Sequence, residues 1–322
     1  MDIPQRIFNF RKKFFPVADI VASRSYIIVF KTTHYCWYNC AHCCENSGPH
    51  QPRRYIPLPA IRAIVDGAVA DPAFARNIVF TGGEIMTAYR FAAPGYVKDA
   101  LNYALDTGCG VDVKTNAAWT RAAFGRQIFD DLAELGGAHP GYNLQISLSL
   151  DTFHKNAIEN NVRLISELAR RKANVVVHIS GLGGKWYVAP DVVYDKLKKS
   201  GFNVRDAFVT GKSGSGVNPV KVANDSVILL AGAGTLFAGG RAENIGGAEP
   251  QMAPQFQIMN SDYNVLYAYD ASGRVTLGEA GRRKIGTNWA RSDGAVRPML
   301  DVRRDLVKNA LWEELRYRVI AR

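Results

Sequence analysis

Short apolar runs alternate with longer amphipathic stretches through most of this sequence, and that rhythm leaves few folds open. The runs SYIIVFKTT from Ser25, NIVFTGG from Asn77, GVDVKTN from Gly110, LQISLSLD from Leu144, NVVVHIS from Asn174 and RDAFVTG from Arg205 read as strands. Between them, PLPAIRAIVDGAVADP, YVKDALNYALDTG, RQIFDDLAELGG, NVRLISELARRK and DVVYDKLKKSG carry helical periodicity. Prolines open the first of these and glycines close several others, as helix starts and stops require. From the second strand on, the unit recurs about every 30–34 residues, the length of one strand plus a crossover helix. Strand–helix units in series give a parallel sheet with helices outside. Six units fall short of the eight of a closed TIM barrel. The expected fold class is therefore α/β, a partial (β/α)6 TIM-like barrel over residues 25–210, after an N-terminal extension, residues 1–24.

The rhythm breaks after about residue 211. GKSGSGVNP reads as a loop, and VILLAGAGTLFAGGRAEN is apolar and glycine-rich without a clear period. NVLYAYDASGRVTLGEAG reads as a hairpin turning at Asp270–Gly273, and DLVKNALWEELRYRVIAR as a terminal helix. Residues 211–322 are expected to form a small C-terminal region packed on the barrel.

A hydrophobic share of 47% suits a sizeable core. No window approaches the roughly 18–20 uninterrupted apolar residues that span a bilayer, so no membrane partner is expected. The basic, aromatic start lacks the apolar core and cleavage site of a secretory signal. Five cysteines, four of them crowded together, do not make an extracellular disulfide framework. A reducing cytoplasm is the expected compartment. The net charge of +11 favours an acidic partner, or is simply a solubility charge. Its densest groups, Arg11-Lys12-Lys13, Arg170-Arg171-Lys172 and Arg282-Arg283-Lys284, do not interleave with aromatics, which speaks against a nucleic-acid groove.

The crowded cysteines lie in CWYNCAHCC, residues 36–44, directly after the first strand. Ligands of open α/β sheets and barrels bind at the carboxyl ends of strands. Cys36, Cys40 and Cys43 thus stand where active sites are built, and three thiolates can converge on one soft metal centre. A structural zinc site takes four closed ligands, usually in two separated pairs, and no second pair is evident. A catalytic zinc, a redox-sensing cluster and a non-catalytic metal scaffold remain open. Cys44 is constrained beside Cys43 and reads as a bystander thiol. Cys109, before the third strand, belongs to the opposite end.

This spacing, with the aromatic His42 before the third cysteine, resembles the signature loop of radical S-adenosylmethionine (SAM) enzymes. Thr81-Gly82-Gly83-Glu84 after the second strand resembles the family's GGE motif. Lys114-Thr115-Asn116 and Ser149-Leu150-Asp151 resemble segments at the ends of its third and fourth strands. The resemblance covers roughly residues 25–210. It implies that Cys36, Cys40 and Cys43 hold a [4Fe–4S] cluster whose open iron binds SAM. It further implies a 5′-deoxyadenosyl radical that abstracts a substrate hydrogen, and an electron donor such as flavodoxin or ferredoxin. Gly82 and Gly83 would let the backbone approach SAM closely and Glu84 would meet its ammonium. Asn116, Ser149 and Asp151 would contact ribose and carboxylate.

Ordinary roles compete with each assignment. The GGE segment could be a plain turn, and Asn116 and Asp151 could be helix caps. Ser149 could line the interior, with Ser147 its rival. His154 reads as a helix-surface residue rather than a base. Gly240-Arg241-Ala242, the hairpin and Ile285-Gly286-Thr287-Asn288 resemble parts of the C-terminal domain of peptide-modifying members. No cysteine follows Cys109, so thiolate-held auxiliary clusters are excluded. The implied substrate is a peptide or amino-acid derivative, possibly acidic. A nucleotide or other small molecule is the alternative.

Overall fold

The computed structural model describes residues 24–210, 217–234, 241, 265–277, 286–293 and 295–320. The expected N-terminal extension lies outside the described residues apart from Arg24. Strands β1 (Tyr26–Thr33), β2 (Phe74–Gly82), β3 (Gly110–Thr115), β4 (Leu144–Ser149) and β5 (Val175–Leu182) stand side by side, every pair parallel. Helices α1 (Leu58–Val69), α2 (Tyr96–Asp106), α3 (Gly125–Ala138), α4 (Ala157–Arg170) and α5 (Asp191–Lys199) connect or follow them, as the strand–helix rhythm requires.

The sixth parallel strand is not the one expected. RDAFVTG does form a strand, β6 (Val204–Thr210), but it lies at the sheet edge, antiparallel to β7 (Val217–Ala223). The neighbour of β5 is β8 (Val227–Gly234), paired with it in parallel over eight residues. The apolar, glycine-rich run beyond residue 211 therefore supplies the sixth barrel strand. The chain reaches it through the β7–β8 hairpin, whose turn residues Asn224 and Asp225 both have positive φ. The sheet consequently runs without a break across the expected division at residue 210.

At the other edge, β9 (Val265–Asp270) pairs in parallel with β1 and continues antiparallel into β10 (Arg274–Leu277) and β11 (Gly286–Asn288). The described strands form a single sheet in the order β11-β10-β9-β1-β2-β3-β4-β5-β8-β7-β6. The expected hairpin is present, and it covers the β1 edge that an open barrel would otherwise leave unpaired.

Strand alternation divides this sheet into two faces. Ile28, Phe30, Ile78, Phe80, Val111, Val113, Ile146 and Leu148 are buried in the core with the helices. On the inner face, the walls differ. Ile27, Val29, Val79 and Ala268 form a small dry cluster on β1, β2 and β9. Asp112, Lys114, Gln145 and His178 on β3, β4 and β5 are half-buried, each flanked by fully buried neighbours.

The amino end of the sheet is closed by a polar knot. Tyr26 stacks on Tyr267 at 4.5 Å, and its Oη lies 3.2 Å from Asp71 Oδ2. Arg303 of the terminal helix α6 (Met299–Ile320) meets the same carboxylate at 3.2 Å. Cys109 is buried at this end, before β3. Among the described residues no helix is long and apolar enough to cross a membrane.

Candidate functional site

Two loops meet at the carboxyl ends of β1 and β2. After β2 the chain turns through Gly82 and Gly83. Gly82 has φ +111°, and a Cβ there would lie 2.4 Å from the Thr33 carbonyl oxygen. A Cβ on Gly83 would lie 2.1 Å from that of Tyr35. Both glycines are thus required by close approach of the chain to itself: Gly83 N–H donates to Thr33 O at 2.6 Å, and Glu84 N–H to Tyr35 O at 2.9 Å. These contacts lock the cysteine loop to β2.

Glu84 is fully buried, with its carboxylate turned towards β3. It accepts from Met86 N–H at 3.2 Å and Asn116 N–H at 3.0 Å, and Thr115 Oγ1 lies 2.9 Å from each of its oxygens. Thr115 Oγ1 in turn accepts from Ala117 N–H and Trp119 Nε1–H. Burial pushes the Glu84 carboxyl up to about 7, and these donors oppose the rise. The Thr-Asn pair and the GGE segment, read separately in the sequence, are one hydrogen-bonded unit.

Asn116 faces the cysteine loop. Its Nδ2 lies 3.5 Å from Cys36 Sγ, while its Oδ1 caps the following turn by accepting from Ala118 N–H. Cys36 is buried, and burial, with the Glu84 charge second, pushes its thiol up to about 12. Tyr38 N–H points at Cys36 Sγ at 3.4 Å and Ser47 N–H at Cys43 Sγ at 3.3 Å. Cys40 and Cys43 are half-buried, and Cys44 is exposed. None of the five cysteines forms a disulfide. A soft donor set on one loop, with N–H groups already directed at two sulfurs, fits an iron–sulfur cluster held by Cys36, Cys40 and Cys43.

Ser149 ends β4 half-buried, and its carbonyl accepts from Asn161 Nδ2 at 3.0 Å. Ser147 is engaged elsewhere, donating to Asp112 Oδ1 at 2.7 Å. Asp151 Oδ1 accepts from the N–H groups of Phe153 and His154, and its carboxylate meets His154 Nδ1 at 2.9 Å. His154 is not a surface residue: its side chain is 11% exposed, against the expectation from the helical pattern. Although burial alone would lower it, the Asp151 carboxylate and then Cys40 hold this imidazole up at about 9. His42 stacks on Phe153 at 4.5 Å and stands edge-on to His154 at 4.9 Å. Its Nδ1 is buried without a hydrogen-bond partner. Burial, and then His154, pull its imidazole down to about 4.

One contributor was missed. Arg241 comes from far along the chain, yet its guanidinium and backbone N–H lie on the cysteine loop. The Gly-Arg-Ala segment was singled out only as the approach to a C-terminal domain. Its charge, the first to follow Asp225 in an apolar, glycine-rich run, was the available signal.

Neither the protein-family models nor the curated proteins gave a match to this chain. Among solved structures, the chain is similar to SuiB of Streptococcus suis bound to S-adenosylmethionine, with 12% identity and a TM-score of 0.43, over 89% of this chain and 69% of that one. It is similar to BtrN in complex with AdoMet and 2-DOIA, with 12% identity and a TM-score of 0.43, over 88% of this chain and 84% of that one. It is also similar to a histidine-tagged anSMEcpe with bound AdoMet, with 10% identity and a TM-score of 0.47, over 88% and 80% of the two chains. These are radical SAM enzymes. With identities and scores this low, the likenesses carry nothing about the chemistry of this chain.

Proposed function

We propose that this chain is a radical SAM enzyme in which Cys36, Cys40 and Cys43 hold a [4Fe–4S] cluster. One observation carries the reading: the three-cysteine loop is fixed to the turn after β2 by contacts only glycine permits at positions 82 and 83. Held there, such a cluster would supply the reducing electron for cleavage of SAM and so the radical chemistry of hydrogen abstraction.

The chain's own residues hold the site in shape. Glu84 ties the turn after β2 to the end of β3, which sets Asn116 beside Cys36. Asn116, Ser149 and Asp151 end neighbouring strands at one mouth and are suited to contact SAM. Gly82 and Gly83 serve the site by admitting the cysteine loop, and Glu84 by positioning. Below the mouth, the half-buried wall of Asp112, Lys114, Gln145 and His178 offers polar groups to a substrate inside the barrel, while Ile27, Val29 and Val79 offer an apolar side. A peptide or amino-acid-derived substrate suits such a divided interior, and the net charge of +11 suits an acidic one. A flavodoxin- or ferredoxin-type protein would supply the electron.

The test is anaerobic reconstitution with iron and sulfide, reduction, and addition of SAM. The expected result is about four irons per chain and formation of 5′-deoxyadenosine, both lost when Cys36, Cys40 and Cys43 are all changed to alanine. A tightly held zinc ion, or a cluster that leaves SAM intact, would overturn the proposal.

A further inference from the structure

The cysteine loop has few hydrogen bonds of its own. Within it, Cys43 N–H donates to Cys40 O at 3.2 Å and Asn46 N–H to Cys43 O at 3.4 Å. Arg241 adds four more, each to a different residue. Its Nε donates to Cys40 O at 2.8 Å, its backbone N–H to Cys43 O at 3.1 Å, one terminal nitrogen to Ser47 O at 2.6 Å and the other to Asn46 Oδ1 at 3.1 Å. The acceptors span the loop from its second cysteine to just beyond its last. Arg241 itself lies about two hundred residues away in sequence.

We infer that Arg241 is a positioning residue for the cluster, holding the carbonyls of Cys40, Cys43 and Ser47 so that the loop keeps its N–H groups turned towards the sulfurs. This rests on the proposed cluster at Cys36, Cys40 and Cys43. The physical case has two parts. A planar guanidinium satisfies several divergent carbonyls at once, which the single ammonium of lysine cannot. Its fixed positive charge also stands on the loop whose cysteines would hold the cluster, and would favour the added negative charge when the cluster's irons are reduced. Hydrogen bonds to the sulfurs and local charge both set the potential of such a cluster. The loop's resting geometry is therefore set in part by a residue that lies beyond β8 in sequence.

The experiment compares wild type, Arg241→Lys and Arg241→Gln after anaerobic reconstitution. Circular dichroism and thermal melting first establish that each variant is folded. Iron loss to a chelator is then timed, and the cluster's midpoint potential is measured by EPR-monitored titration without SAM. Arg241→Gln is expected to release iron about 10- to 100-fold faster, the size of effect that supporting groups around metal ligands usually have. Its remaining cluster should have a more negative potential, and Arg241→Lys should fall between the two in both measurements. A folded Arg241→Gln protein that keeps both the iron and the potential of wild type would overturn the inference and leave the proposed function standing. A wild type that assembles no cluster would instead remove that function, and this inference with it.

Discussion

The two loops at the carboxyl ends of β1 and β2 are neighbours built on opposite plans. The turn after β2 is finished within the protein. Glu84, Met86 and Thr87 are fully buried, and the Glu84 carboxylate is surrounded by donors from its own turn and from β3. The cysteine loop is unfinished. Cys40 and Cys43 are half-buried, Cys44 is exposed, and the loop depends on Thr33, Gly48, Asn116 and Arg241 for its shape. The difference separates scaffold from workplace. A loop that must receive a foreign group keeps its reactive atoms open, and a neighbouring loop supplies the rigidity.

The contrast can be broken first at Gly83. Alanine there sets a Cβ 2.1 Å from a backbone oxygen, which no rotamer change can relieve. Gly83→Ala should cost about 3 kcal/mol, at the upper end of overpacking penalties, read as a fall in urea midpoint of the metal-free protein. A wild-type midpoint would show that the two loops are not rigidly joined.

Glu84→Ala should cost about 2–3 kcal/mol, because it leaves buried donors on Met86, Thr115 and Asn116 without their acceptor. The same residue gives a pH test. Its carboxyl lies at about 7 when folded, above the 4.5 of an exposed glutamate. A raised acid binds its proton more tightly in the folded state, so its contribution is full below pH 4.5 and is lost as pH rises through about 7. Between about pH 5 and 8 the melting temperature of wild type should therefore fall relative to that of Glu84→Gln, which has nothing to titrate. A constant difference across that range would place the Glu84 carboxyl outside it.

The smallest expected effect sharpens the contrast from the other side. Cys40→Ser and Cys43→Ser should change the stability of the metal-free protein by no more than about 0.5 kcal/mol, as surface substitutions do, yet each should abolish iron incorporation. Large destabilisation of the metal-free protein by either would mean that the loop is scaffold after all.

Much of this arrangement can be read from the sequence, for reasons specific to each part. The first five strands are apolar runs that alternate with amphipathic helices, so local chemistry and tertiary position agree. The cysteines, the GGE turn and the Thr-Asn pair follow strands, which places them at one mouth. The sixth strand was misplaced because RDAFVTG keeps the rhythm in sequence while leaving it in space. A hairpin signal was present in VKVANDSVILL, where Asn-Asp sits between alternating apolar residues, and it pointed to β7–β8. His154 was misread because a histidine beside a helix start gives no sign of the carboxylate three residues earlier that holds it inward. Arg241 was marked only by its charge in an apolar run; contacts across two hundred residues leave no trace in local pattern of which loop it would meet.

The pairing of β9 with β1 also has a consequence in time. β1 is buried along its whole length, yet one of its two partners begins at Val265, more than two hundred residues later. At synthesis rates of about 5–20 residues per second, roughly 10–50 s separate the emergence of the two. During that interval one side of an apolar strand offers unpaired N–H and C=O groups to any neighbouring chain. The nascent protein must therefore be shielded or kept dilute until β9 arrives, and truncation before residue 265 should give a chain that aggregates rather than a smaller barrel.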